Sequence, residues 1–304
     1  MAKLVECIPN FSVSREKDPA VFDALVDVAK SVPGCTLFDV QSDGNHNRCV
    51  LTLLGSPEGV AEAAFRLCKK AAETIDMRTH RGQHPRMGAT DVIPFVPQTA
   101  DMSLEECVAL SRAVAKRIWE ELGIPSFLYE DSATRPERRN LADCRRGQFE
   151  GMPAKLLQED WAPDFGERKI HPTAGIVAIG ARMPLVAFNV NLDTPDVEIA
   201  KKIARTIRGS SGGFKYCKAL GIKLEERDIA QVSMNMVNYE GTPLYLVFET
   251  IRALAERYGV RIIGSEIVGL TPAKALIDCA EYYLKLENFH CTEQVMEYHL
   301  LEME

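Results

Sequence analysis

Two α+β lobes in tandem, each an antiparallel sheet with helices packed on one face, are the fold that the sequence predicts. Three observations carry the prediction. Prolines placed to start helices recur at matching points of both halves, short β-branched apolar runs lie between them, and the order of the two element types repeats. The repeat divides the chain into lobes at residues 1–180 and 181–304.

Helices open at Asp18-Pro19, Ser56-Pro57, Thr194-Pro195 and Thr242-Pro243, where an N-cap oxygen precedes a proline suited to the first helical position. After Ser56 the residues Val60, Ala64, Leu67, Cys68, Ala71 and Ile75 keep the three-and-four spacing of a buried stripe, as do Ile199, Ile203 and Ile207 after Thr194. Gly259 suits the left-handed end of the helix from Thr242. Strands are expected at LVECI, CTLFDV, RCVLTLLG and DVIPFVP in the first half, and at LVAFNVN, FKYCKAL, AQVSMNMVN and VRIIGSEIV in the second. Each half then reads β-α-β-β-α-β, the ferredoxin-like order. Residues 100–180 add a helix from about Leu104 to Leu122 and irregular segments to the first lobe.

Composition excludes several function classes. The 304 residues are 46% hydrophobic with a net charge of -7, so neither nucleic acid nor an anionic membrane is expected as a partner. No apolar run reaches membrane-spanning length, and MAKLVECIPNF lacks the features of a secretory signal, which makes a cytoplasmic location the expectation. Nine cysteines without a CxxC pair read as reduced thiols rather than a disulfide or zinc framework.

The two lobes differ in one place. The last helix of the second lobe reaches its last strand through little more than Gly259, whereas in the first lobe the 15 residues Asp76 to Thr90 intervene. They belong to THRGQHPRMGATDVIPFVP at 79–97, where Gly82, Pro85 and Gly88 prevent a helix. A long connection of this kind is more often functional than incidental. His84, stiffened by Pro85, is the candidate general base, against the alternative that it only bonds its own loop. His80 and His84 have a zinc-like spacing but no shared helical face, so no metal site is expected. Arg81 and Arg86 flank the histidine, able to grip carboxylates and to keep the imidazole neutral, or else simply solvated.

Two more polar stretches stand out. In FDVQSDGNHNRCV at 38–50 a hairpin turn accounts for Asp43-Gly44-Asn45, while Asp39 has the chemistry to orient an imidazole and Arg48 to bind an anion. DWAPDFGERKIHPTAG at 160–175 lies at the junction of the lobes, as a small-molecule site or as a linker. GSSGG at 209–213 lacks the GK[ST] of a phosphate loop and reads as a turn. Arg135, Arg138, Arg139, Arg145 and Arg146 read as a solvated surface or a seat for a polyanionic tail.

VECIPNFS at the start, HNR at 46–48, HPRMGATDVIPF at 84–95, DFG at 164–166, AFNVNL at 187–192, AQVSMN and GSEIVGL run in order along nearly the whole chain. Together they resemble the glutamate formiminotransferase family, including the transferase part of the bifunctional formiminotransferase-cyclodeaminase. The resemblance implies transfer of a formimino group from N-formimino-L-glutamate to N5 of tetrahydrofolate, a co-substrate, in histidine breakdown. It implies a homodimer of two-lobed chains, with folate in the cleft between lobes. His84 takes the place of the family's catalytic histidine. The folate-binding segment falls on Gly166, Glu167, Arg168, Lys169, Ile170, His171, Pro172, Thr173, Ala174 and Gly175. Gln83 stands where a glutamate is common, and Ala174 where animal members have tryptophan.

A protonated formimino carbon is already electrophilic, so the transfer calls for neither metal nor nucleotide, only orientation and proton movement. On this reading Asp39 orients His84, and Arg48 and Arg86 meet the substrate carboxylates. Formyl transfer between 5-formyltetrahydrofolate and glutamate, or folate binding without catalysis, are the alternatives. The cyclodeaminase half has no counterpart here, and the helical tail with His290 and His299 reads as surface.

Overall fold

A computed structural model describes residues 3–99 and 101–302. The chain divides into two compact units, Met1–Arg182 and Met183–Glu304.

The first unit runs β1 (Val5–Cys7), β2 (Asn10–Phe11), α1 (Pro19–Lys30), β3 (Cys35–Asp43), β4 (Arg48–Gly55), α2 (Pro57–Thr74), β5 (Thr90–Pro97), α3 (Leu104–Leu122), β6 (Ser126–Glu130), α4 (Leu141–Arg145), α5 (Gln148–Lys155) and β7 (Val177–Ala181). Asp18 caps α1 by accepting the Val21 amide at 3.1 Å, and Ser56 caps α2 by accepting that of Gly59 at 3.1 Å. The α2 stripe of Val60, Ala64, Leu67, Cys68 and Ala71 is buried against the sheet. With β1 and β2 as one interrupted strand, the sheet order β3-β4-β1/β2-β5 is the ferredoxin-like one, antiparallel throughout.

Residues 100–180 hold more than a helix and irregular segments. Beyond β5 the sheet continues through β7 and β6, both parallel to their neighbours, making seven strands. Strand β7 is buried along its whole length, and a strand covered on both faces shows no alternation by which periodicity can find it. Under α4 and α5 lies a separate cluster of Met87, Phe127, Tyr129, Cys144, Met152 and Leu156, so helices do not keep to one face.

The second unit runs β8 (Val186–Leu192), α6 (Val197–Ile207), β9 (Cys217–Leu224), β10 (Ile229–Met236), α7 (Leu244–Arg257), β11 (Ile262–Val268), α8 (Ala273–Leu284), α9 (Cys291–Gln294) and α10 (Met296–Glu302). Its antiparallel order β11-β8-β10-β9 repeats the ferredoxin-like arrangement. Val186, Phe188, Val190 and Leu192 face the helices. Two helix starts differ from expectation. The Thr194 hydroxyl accepts the Asp196 amide in a local turn, and Asp196 then caps α6 through the Glu198 amide at 2.9 Å. Pro243 takes the cap position of α7 without a side-chain bond. His290 and His299 are exposed, as read.

Candidate active site

The connection at 75–89 between α2 and β5 is held against the β3–β4 turn. Asp43 accepts the amides of Asn45 and His46 at 2.8 and 2.9 Å, and the turn extends to Asn47, whose φ is 48°. Asn47 then donates to the Arg81 carbonyl at 2.9 Å, and the Gln83 amide donates to Asn45 at 3.2 Å. Gly82 makes the approach possible, because a Cβ there would stand 2.1 Å from the His46 carbonyl oxygen.

His80 completes the clamp. Its Nε2–H donates to the Asn47 carbonyl at 3.0 Å and its Nδ1 accepts from Arg86 Nε at 3.2 Å, so both nitrogens are committed. Among the described residues no group of His, Cys, Asp or Glu is arranged to hold a metal ion.

His84 is placed differently. Its Nε2 lies 2.9 Å from Arg48 Nη1. A guanidinium can only donate, so Nε2 accepts, and the ring is neutral with its proton on Nδ1. That Nδ1 is buried and has no hydrogen-bond partner, and neither does Arg48 Nε. Burial, then the cations Arg48 and Arg145, bring the imidazole down to about 4, with Asp91 opposing. The edge of His46 approaches the ring at a centroid distance of 6.0 Å. Phe11, Ser12, His46, Arg48, His84 and Asp91 line one narrow pocket, with His80 and Arg86 on its wall.

The other expected residues fall at varied distances from this centre. Asp39 lies on β3 opposite Thr52 and accepts the Gln41 amide at 2.9 Å; the groups that meet His84 are Arg48 and His46 instead. Arg86 grips both Glu150 oxygens, at 2.7 and 2.9 Å, and donates to Gln148 at 2.8 Å, which ties the connection to α5. Its guanidinium is thus already engaged by a carboxylate of the protein.

One residue that sequence reasoning did not single out, Asp91, joins the site. Asp91, 2% exposed, accepts the Met87 amide at 3.0 Å and pairs with Arg145 at 2.6 Å. Arg145 and Arg138 therefore leave the surface group to which their run assigned them, Arg138 being 1% exposed and paired with Asp164. The available signal for Asp91 was a carboxylate opening an otherwise apolar strand, TDVIPFVP.

The stretch from Gly166 to Gly175 runs beside the same connection. Its start is held by Asp164, which accepts from Leu128, Thr134 and Arg138. Its end closes in a turn where His171 and Gly175 exchange backbone bonds at 2.9 and 3.0 Å. The Ala174 carbonyl accepts from Ala89 and that of Thr173 from Met77, both at 2.9 Å, so this stretch and the His84 connection are bonded together. Glu167, Arg168 and Lys169 are exposed, whereas Ala174 is 2% exposed and packs into the core.

Comparison with known proteins agrees along the whole chain. The formiminotransferase domain, N-terminal subdomain, matches residues 4–182, and the formiminotransferase domain matches 187–301. The glutamate formimidoyltransferase of Streptococcus pyogenes serotype M1 is 65% identical over 301 residues, 99% of this chain and 100% of that one. That of Thermoplasma acidophilum is 48% identical over 288 residues, 94% of each chain. The formimidoyltransferase-cyclodeaminase of Gallus gallus is 43% identical over 300 residues, 97% of this chain and 55% of that longer one. A chain matched end to end by both parts of one domain belongs to the formiminotransferase family.

Proposed function

We propose that this protein transfers the formimino group from N-formimino-L-glutamate to N5 of tetrahydrofolate, releasing L-glutamate and 5-formiminotetrahydrofolate, in histidine degradation. Full-length identity of 65% to a glutamate formimidoyltransferase supports the reaction. One observation supports the mechanism: a half-buried, neutral imidazole on a loop stitched into place, touching a guanidinium.

In this reading N5 attacks the formimino carbon and a C–N5 bond forms as the C–N bond to glutamate breaks. The N5 proton passes to His84 Nε2 and then to the departing glutamate nitrogen, so atoms and charge balance. Arg48 takes a substrate carboxylate, because Arg86 and Arg145 are already paired with Glu150 and Asp91. The exposed part of Gly166 to Gly175 meets the folate, while Ala174 is buried and supplies no stacking ring. Residues 1–180 and 181–304 serve as the two formiminotransferase subdomains. A cytoplasmic homodimer belongs to the same reading, the dimer being what the resemblance implies.

Purified protein given N-formimino-L-glutamate and tetrahydrofolate, with folate absorbance followed, tests the reaction. 5-Formyltetrahydrofolate with glutamate is run in parallel, and turnover confined to that pair overturns the assignment. His84→Gln should lower kcat by about 10²- to 10⁴-fold while folate still binds. Full turnover by that variant removes His84 from the chemistry.

A further inference from the structure

We propose that Arg48 is a substrate-released latch on His84: in the free protein its guanidinium occupies the Nε2 lone pair, and an arriving substrate carboxylate draws it off and so turns the ring into the acting base. The inference rests on the reading that this site takes N-formimino-L-glutamate, and it adds how the base is switched on.

The contact itself blocks the proposed chemistry. With Nε2 accepting from Arg48 at 2.9 Å and the proton on Nδ1, neither ring nitrogen has a free lone pair for the N5 proton. The base must be uncovered before it acts. Two buried polar atoms of this pair, His84 Nδ1 and Arg48 Nε, lack partners, so the resting pair leaves hydrogen-bonding capacity unmet and loses little by rearranging. Because Arg48 Nε is buried, a carboxylate cannot reach the Nε edge of the fork where it stands. A substrate carboxylate is therefore met at the Nη edge, as Glu150 is by Nη1 and Nη2 of Arg86, and drawing the guanidinium toward it breaks the bond from Nη1 to Nε2.

Electrostatics acts in the same sense. The groups facing His84 are Arg48 from β4, Arg145 from α4, Asp91 from β5 and His46 from the β3–β4 turn. His80 and Arg86 line the same pocket and are bonded to Asn47 and Glu150. Arg145 is offset by Asp91, which leaves Arg48 as the cation whose charge a substrate carboxylate would cancel. Departure of Arg48 and arrival of an anion both raise the proton affinity of the ring. Base strength therefore rises only when a carboxylate-bearing donor is seated, and a donor without one leaves the histidine silenced.

The test uses the whole protein labelled with ¹⁵N-histidine, His84 being assigned by the resonances lost in His84→Gln. Its titration is recorded alone and with L-glutamate at concentrations that product-inhibit turnover. We expect glutamate to raise the midpoint by about one pH unit or more. Arg48→Gln should raise the midpoint of the free protein by a similar amount and abolish its response to glutamate. Arg48→Lys, which keeps a cation and donors, should hold the free midpoint low. In wild type the acid limb of kcat should lie at higher pH than that of kcat/KM, since only the former reports the seated complex. A His84 midpoint unmoved by glutamate in wild-type protein that turns over normally overturns the latch and spares the proposed reaction. Absence of formimino transfer in wild type overturns the reaction itself. The ligand titration needs no variant beyond the assignment, so poor folding of Arg48→Gln does not block the test.

Discussion

Asp91→Asn removes the one charge that balances Arg145 beside the proposed base. The Asp91 side chain is 3% exposed and that of Arg145 15%, and the pair is joined at 2.6 and 2.9 Å. Breaking a buried pair by neutralising one partner costs about 3–5 kcal/mol. Two features place the expected cost near the lower end, at about 3 kcal/mol: asparagine still accepts the Met87 amide, and the partial exposure of Arg145 lets water reach the abandoned guanidinium. Both tryptophans, Trp119 and Trp161, lie in the unit Met1–Arg182, so their fluorescence during urea unfolding reports the unit that holds the pair. At an m of about 2 kcal/mol/M, such a loss lowers the midpoint by about 1.5 M. The double variant Asp91→Asn with Arg145→Met should recover part of the loss, with a coupling of about 1–3 kcal/mol. A cost below about 1 kcal/mol, or strict additivity of the two substitutions, would refute the reasoning that this ion pair is the keystone of the β5–α4 contact.

Acid should weaken the same unit before its carboxylates titrate. His80, His84 and His171 are all shifted below the usual imidazole value of 6.5 by burial, His84 to about 4. Between the folded and unfolded midpoints the unfolded chain binds more protons, so stability falls as pH drops from about 6.5 toward 4 and returns as pH rises. Urea midpoints taken from pH 7 to 5 should decline, and less so in His84→Gln; a flat profile contradicts the assignment. Gly175 has φ 76°, and a Cβ there would stand 2.3 Å from the Met87 carbonyl oxygen, so Gly175→Ala should cost more than about 2 kcal/mol. Gly123, at φ 65° with open space around it, supplies the control, and Gly123→Ala should cost only about 1 kcal/mol; equal costs would remove the clash from the explanation. Of the nine thiols, Cys7, Cys49, Cys68, Cys107, Cys144 and Cys217 are buried, so a disulfide-exchange reagent should titrate at most the remaining three in native protein. Rapid reaction of all nine would show that the cores are open.

Local chemistry was enough for much of the fold and for the choice of His84 as the candidate base. Ser56-Pro57 and the stripe behind it specify α2 without help from distant residues, because a cap and a 3.6-residue period act within a few turns. Gly82, Pro85 and Gly88 exclude a helix around His84 for equally local reasons, and the doubled element order locates the insertion. Strands β6 and β7 were illegible because burial on both faces erases alternation, and that burial comes from helices elsewhere in the chain.

The partners of the histidine needed the tertiary structure for the same reason. Arg48 and His84 are 36 residues apart, and Arg145 and Asp91 are 54 apart, so no spacing rule links them. Asp39 and Arg86 have suitable chemistry, yet they are bonded to Gln41 and Glu150. By itself the sequence determined two ferredoxin-like units, the helix caps at Asp18 and Ser56 and a rigid histidine loop, since propensity and periodicity are properties of neighbours along the chain. Which cation covers that histidine, and which carboxylate restrains the next one, was decided only when the sheet brought β4, β5 and α4 together, since Coulomb and hydrogen-bond energies depend on distance in space.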